Sequence, residues 1–128
     1  MISDTFGLND KRPKLISVLK KNIASKKETK IVSKNLYINL LNVNDIVSGI
    51  SILLQNNIKS GKYRLVNKKV FKMTELIQKI QKKKKIKIKI KWLSSKIIKE
   101  KIYKYNPLPK WKERDSGIND LIKFILGD

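Results

Sequence analysis

At 128 residues with 41% hydrophobic side chains, the chain can build one domain with its own core, and it is too apolar to be disordered despite 32% charged residues. It has no Cys and no His, which excludes a disulfide framework, thiolate chemistry, and the commonest general base and metal ligand. No run of about eighteen apolar residues marks a membrane span, and no charged-then-apolar leader opens the sequence, so a cytoplasmic protein without membrane attachment is expected.

The formal net charge of +21 points first to polyanions. Of the 31 basic residues, however, only Arg12, Arg64 and Arg114 are Arg, and the rest are Lys. Arg carries the planar fork that suits phosphate and guanine, whereas Lys is a point charge. Lys, Ile and Asn share A/T-rich codons, so a genome of low G+C content is the favoured origin of the charge. Weak, non-specific polyanion binding at low salt is expected in either case.

In chain order, residues 4 to 13 form a polar, turn-rich loop in which Asp10 suits a helix cap and Pro13 a first helical turn. Leu15, Ile16, Val18, Leu19 and Ile23 then predict a helix from about 12 to 24. Lys30-Ile31-Val32 is a short strand candidate, and Leu36 to Val43 reads as a second strand. Asn44-Asp45 breaks that strand and caps a helix from about 45 to 56. Gly61 to Asn67 alternates like a strand, and Thr74 opens a helix to about 82.

From Lys82 to Trp92, four Lys precede strict Ile/Lys alternation at Ile86, Ile88 and Ile90. Period two gives one apolar and one solvated face. A Lys-protected edge strand is favoured over a basic ribbon for an acidic partner. Ser94 or Ser95 caps a helix through Ile97, Ile98 and Ile102. Asn106 to Trp111 is extended by two prolines, and a last helix follows Ser116-Gly117. The order predicts a mixed α/β fold with short strands and about five helices.

Five spaced segments together resemble the C-terminal half of the extended short-chain dehydrogenase/reductases, the NAD-dependent epimerase/dehydratase family of nucleotide-sugar enzymes. Asp4-Thr5-Phe6-Gly7-Leu8-Asn9-Asp10 is similar to that family's N-x-Y-G-P-x-D loop. Leu40 to Val47 resembles F-I-Y-V-D-D-V-V, and Gly61 to Asn67 resembles G-x-Y-N-V-G. Thr74-Glu75-Leu76-Ile77 is similar to S-x-x-E-L-I, and Leu108 to Lys112 with Gly117-Ile118 resembles the closing L-P-x-W-K-P…L-x-x-G-I. Asp4, Arg12-Pro13-Lys14 and Ile38-Asn39 look like the branch of CDP-abequose and CDP-paratose synthases, which reduce a 4-keto sugar nucleotide and serve lipopolysaccharide O-antigen synthesis.

The departures shape the expectation. The family's G-x-x-G-x-x-G has no counterpart, because the five glycines (7, 49, 61, 117 and 127) are scattered. No Tyr-x-x-x-Lys exists either: the residues four after Tyr37, Tyr63, Tyr103 and Tyr105 are Leu41, Asn67, Pro107 and Pro109. The resemblance therefore implies that residues 1–128 are a single truncated domain, the small substrate-binding half that is normally appended to a Rossmann domain. Such a chain carries no catalytic residues and binds no cofactor alone, although NAD(P) is implied for the complete family. It is expected to be inactive by itself, and completion by an upstream-encoded N-terminal half is expected to restore nucleotide-sugar binding.

By the same resemblance, Asp4, Thr5, Arg12 and Lys14 are the substrate-binding candidates, since a helix start beside cations attracts phosphate. The bland reading is a capped surface helix with two exposed cations. Asp45 reads as a helix cap rather than a ligand, Ile38 stands where many relatives have a pyrophosphate-binding Arg, and Trp111 is expected to bury its ring. A small Lys-rich nucleic-acid-binding protein and a separate substrate-binding subunit of a split enzyme stay open as alternatives. If the cofactor domain is missing, the helix after Asn44-Asp45 is expected to bare an apolar face.

Overall fold

The structure is a computed structural model that describes residues 1–2, 4–7, 14–99, 104–114 and 117–127. Its first half runs β1 (Asp4–Phe6), α1 (Leu15–Ala24), β2 (Thr29–Ile31), β3 (Leu36–Ile38), β4 (Leu40–Asn42) and α2 (Val43–Gln55). Its second half runs β5 (Tyr63–Arg64), β6 (Phe71–Lys72), α3 (Met73–Lys84), β7 (Ile90–Trp92), β8 (Ile98–Lys99), β9 (Asn106–Pro107) and α4 (Gly117–Leu126). This is a mixed α/β architecture.

Among the described residues the strands form small separate sheets. β1–β4, β2–β7, β3–β8 and β5–β9 are parallel, and β3–β6 is antiparallel. A parallel ladder cannot be closed by a tight turn. Each of these pairs therefore joins segments far apart in sequence, and the fold depends on long-range contacts.

Two cores lie on opposite sides of β4. Leu40 belongs to the larger one, with Ile16 and Leu19 of α1, Leu76 and Ile80 of α3, and Leu121 and Ile125 of α4. Leu41, the next residue, belongs to the smaller one with Ile46, Leu65, Leu108 and Trp111. Successive strand side chains point to opposite faces, so β4 is the wall between the cores. Each side chain of this size stabilises the fold by about 1.5–3 kcal/mol when fully buried. α2 approaches the smaller core closely at Gly49, where a Cβ would stand only 2.8 Å from Leu65 Cδ1 and 3.3 Å from Trp111 Cδ1.

Several sequence expectations are corrected. The predicted strand from Leu36 to Val43 is two strands, split at Asn39. The Asn39 side chain is buried; its amide donates to the carbonyls of Asn67 (2.7 Å) and Lys69 (3.3 Å), and its Oδ1 accepts from Asn67 N (3.0 Å). This clamp to residues 67–69 takes the place of ladder pairing at Asn39. The α2 cap is Asn42, whose side chain accepts from Asn44 N at 2.9 Å, so Asn44-Asp45 lie inside the helix and Asp45 is not its cap.

α3 continues to Lys84 and stops where Lys85 takes a left-handed conformation (φ 53°). Lys is a good helix former, and cations suit a helix C-terminus. The Ile/Lys alternation yields a strand only at Ile90–Trp92. The helix predicted through Ile97 and Ile98 is instead β8, parallel to β3, which leaves four helices among the described residues. Ser94 and Ser95 do not cap a helix. Ser94 Oγ donates to Val32 O at 2.8 Å, and Asn35 Nδ2 donates to Ser95 O at 2.7 Å, which fixes this stretch to the β2–β3 turn. Ile102, Asp10 and Pro13, with the readings placed on them, lie outside the described residues.

Candidate functional site

β1 and β4 run parallel with Asp4 opposite Leu40, Thr5 opposite Leu41 and Phe6 opposite Asn42. Their carboxyl ends meet at Gly7 and Asn42, and α2 starts at the residue after β4 with no intervening loop. In open α/β sheets, ligands bind outside the carboxyl ends of parallel strands. A cleft of about 310 Å³ opens at that place, between these strand ends, the first turn of α2 and α4; Arg114, Asp120, Lys123 and Phe124 contribute to its lining.

The cleft is charged on one side and apolar on the other. The positive end of α2, Arg114 and Lys123 line the same space as Asp120, which lies one turn before Lys123 on α4. Phe124 stacks at a tilt on Phe6 with ring centroids 5.7 Å apart, and Lys20 Nζ lies 4.4 Å over the Phe124 ring. Asp45 anchors one rim. It is buried at 6% exposure, its Oδ1 accepts from Arg114 N at 3.4 Å, and the Arg114 Nε is 3.7 Å away. Burial pushes its carboxyl above the usual range, and the Arg114 peptide N–H and guanidinium pull it part of the way back. Trp111 buries its ring in the smaller core, and its Nε1 donates to the Asp45 carbonyl at 2.9 Å. Among the described residues no group of carboxylates is arranged to hold a metal ion.

The residues singled out by resemblance sit nearby, at the amino end of β1 and at the entry to α1. Lys14 Nζ forms an ion pair with Asp4 Oδ1, and Asp4 Oδ1 also accepts from Thr5 N at 2.9 Å. The structure thus brings Asp4, Thr5 and Lys14 together but outside the lining of the cleft, while Arg12 lies outside the described residues. Lys14 is also the residue preceding the first turn of α1, which has no side-chain cap and no acidic residue. Ile38 is half-buried against the larger core. Sequence reasoning passed over Arg114, Asp120 and Lys123. The one available signal was the rarity of Arg in so Lys-rich a chain.

At the β4-to-α2 junction the described residues lack the form of a dinucleotide cradle. A dinucleotide cradle needs a glycine turn between a strand and its helix, so that backbone can approach the pyrophosphate. Here the β4-to-α2 junction has no glycine, Gly7 is packed on Val43, and Gly49 is inside α2 against Leu65. No helix among the described residues is long and apolar enough to cross a membrane.

No protein-family model matches the chain, and no curated protein matches it. Solved structures do. RMD from Pseudomonas aeruginosa complexed with NADPH is 16% identical with a TM-score of 0.74, over 98% of this chain and 45% of that one. dTDP-glucose 4,6-dehydratase from Bacillus anthracis in complex with NAD is 17% identical with a TM-score of 0.75, over 97% and 41%. UDP-glucuronic acid 4-epimerase from Bacillus cereus, in complex with UDP-glucuronic acid and NAD, is 12% identical with a TM-score of 0.77, over 98% and 42%. The chain therefore has the fold of part of these sugar-nucleotide enzymes and spans less than half of their length.

Proposed function

We propose that this chain is the sugar-nucleotide-binding part of an NAD(P)-dependent epimerase, dehydratase or ketoreductase, and that it acts only with a dinucleotide-binding half. The observation that carries this reading is the β1–β4 pair with α2 springing directly from it. Such a pair would extend a parallel sheet supplied by another half, which supports the reading. α2 supports the same conclusion. Val43, Val47, Ile50 and Leu54 form a stripe along it and are 40%, 56%, 45% and 82% exposed, with Leu53 beside them at 45%. A bare stripe of this kind fits a partner surface.

In this reading the nicotinamide and the acid/base groups are supplied by the other half, on this or another polypeptide. The chain's own part is to hold the sugar nucleotide. Asp4, Thr5 and Lys14 at β1 and the α1 entry contact it together with Arg12, and Arg114 and Lys123 supply positive charge at the strand-end cleft. The finer reading is a CDP-linked 4-keto sugar as substrate.

Titration of the pure chain with NADPH and with CDP-, dTDP- and UDP-sugars tests this. The chain alone is expected to show neither NADPH binding nor turnover, and saturable sugar-nucleotide binding is expected once a dinucleotide-binding half is added. Turnover by the chain alone, or NADPH binding tighter than sugar-nucleotide binding, overturns the reading.

A further inference from the structure

A cavity of about 330 Å³ lies on another part of the surface, between the C-terminal turn of α1 and the segment joining α3 to β7. That volume is at the lower end of the range for small-ligand sites. Its apolar lining is Ile23, Ile86 and Ile88, of which Ile86 is 40% exposed and Ile88 is 9% exposed. Lys26, Lys27, Lys87 and Lys89 complete the walls, and no carboxylate lines the cavity. The remaining lining residue is Asn22, whose amide is committed to Glu28 O at 3.2 Å and Thr29 Oγ1 at 3.1 Å.

A second observation comes from strand register. The β2–β7 ladder sets Lys30 directly opposite Lys91, both exposed, two residues on from Lys89. Like charges opposed across a ladder destabilise it. A negative charge at this edge relieves that repulsion.

We propose that this cavity binds an anionic amphiphile, a carboxylate or phosphate head on a short hydrocarbon body. The hydrocarbon lies on Ile23, Ile86 and Ile88, and the head meets the ammonium groups of Lys26, Lys27, Lys87 and Lys89. Lysine suits this arrangement, because its stem extends the apolar wall while its head stays in water. A nucleic acid fits less well: no aromatic ring among the described residues lines the cavity for a base to stack on.

Isoleucine-methyl NMR of the whole chain tests the proposal, with decanoate, decyl phosphate, decanol and inorganic phosphate as probes. Decanoate and decyl phosphate are expected to shift the Ile23, Ile86 and Ile88 methyls saturably, with affinity falling up to about fourfold per methylene removed. The exposed double variant Lys27→Glu/Lys87→Glu is expected to weaken both at least about tenfold, as removal of charge-assisted contacts does. Ile86→Ser is expected to flatten the chain-length dependence while the fold persists.

Equal binding of decanol, or phosphate binding as tight as decyl phosphate, overturns the proposal. So does phosphatidylglycerol vesicle binding with those three methyls unmoved under free decanoate, which leaves a charge-only membrane contact. Single-stranded DNA that shifts the same methyls more tightly than decanoate overturns the ligand class.

Discussion

The indole Nε1 of Trp111 donates to the backbone carbonyl of Asp45 at 2.9 Å, across 66 residues. This bond ties the first turn of α2 to the stretch that leads into α4. It holds Arg114 over Asp45 and so shapes one wall of the strand-end cleft. Trp111→Phe keeps most of the ring and removes the donor. A loss of about 1 kcal/mol in urea unfolding is expected, and Trp111→Ala should cost about 3–5 kcal/mol by emptying the smaller core. Equal losses for the two variants would show that the hydrogen bond, not the packing, carries the site.

Asn39→Ala tests the clamp between β3 and β4. It removes two donors and one acceptor from the carbonyls of Asn67 and Lys69 and the N–H of Asn67. A loss of about 2–3 kcal/mol is expected, because three part-buried hydrogen bonds are lost at about 0.5–1.5 kcal/mol each. Asn39→Leu restores the volume but not the bonds, so it should recover little. Urea denaturation of both variants measures this.

Asp45 predicts a pH dependence of stability. Its folded carboxyl titrates above the ordinary value of 3.8 because it is buried. Between that value and the folded one, the native state holds more proton than the unfolded chain, so stability falls as pH rises through this window. The Asp45 contribution is fully present below 3.8 and is lost above its folded titration point. Asp45→Asn should flatten this part of the profile. Thermal melts from pH 3 to 7 check it, and a steeper fall in the variant would contradict the assignment.

The bare stripe on α2 predicts self-association of the pure chain. Val47→Gln with Leu54→Lys places polar groups where 56% and 82% of the side chains already face solvent. Stability should change by no more than about 0.5 kcal/mol, while sedimentation should shift towards monomer. Lys at position 54 also suits the negative end of the helix. A wild-type chain that is monomeric at high concentration would remove the reason for a covering partner.

The helices were legible because their apolar residues recur at helical spacing, and α1, α2, α3 and α4 each stand where Leu and Ile recur in that way. Ile97 and Ile98 show why such spacing can mislead. Branched residues of this kind fit a short helix or a short strand equally well. Here Ser94 and Asn35 decided for the strand by bonding across the β2–β3 turn. The cap of α2 lies two residues before its expected pair for a similar reason. Asn42 ends a ladder with β1, so its extended backbone, and not that of Asn44, sits at the helix start.

The sequence by itself determined the mixed α/β class, four of the about five helices it predicted, and the absence of His, Cys and any glycine-rich fingerprint, since composition and local period carry those. Tertiary structure alone decided which residues meet. Parallel ladders and two cores divided by a single strand depend on contacts dozens of residues apart, and no local pattern encodes them. Only there do Arg114 and Lys123 join the strand ends and Asp45 lose its water.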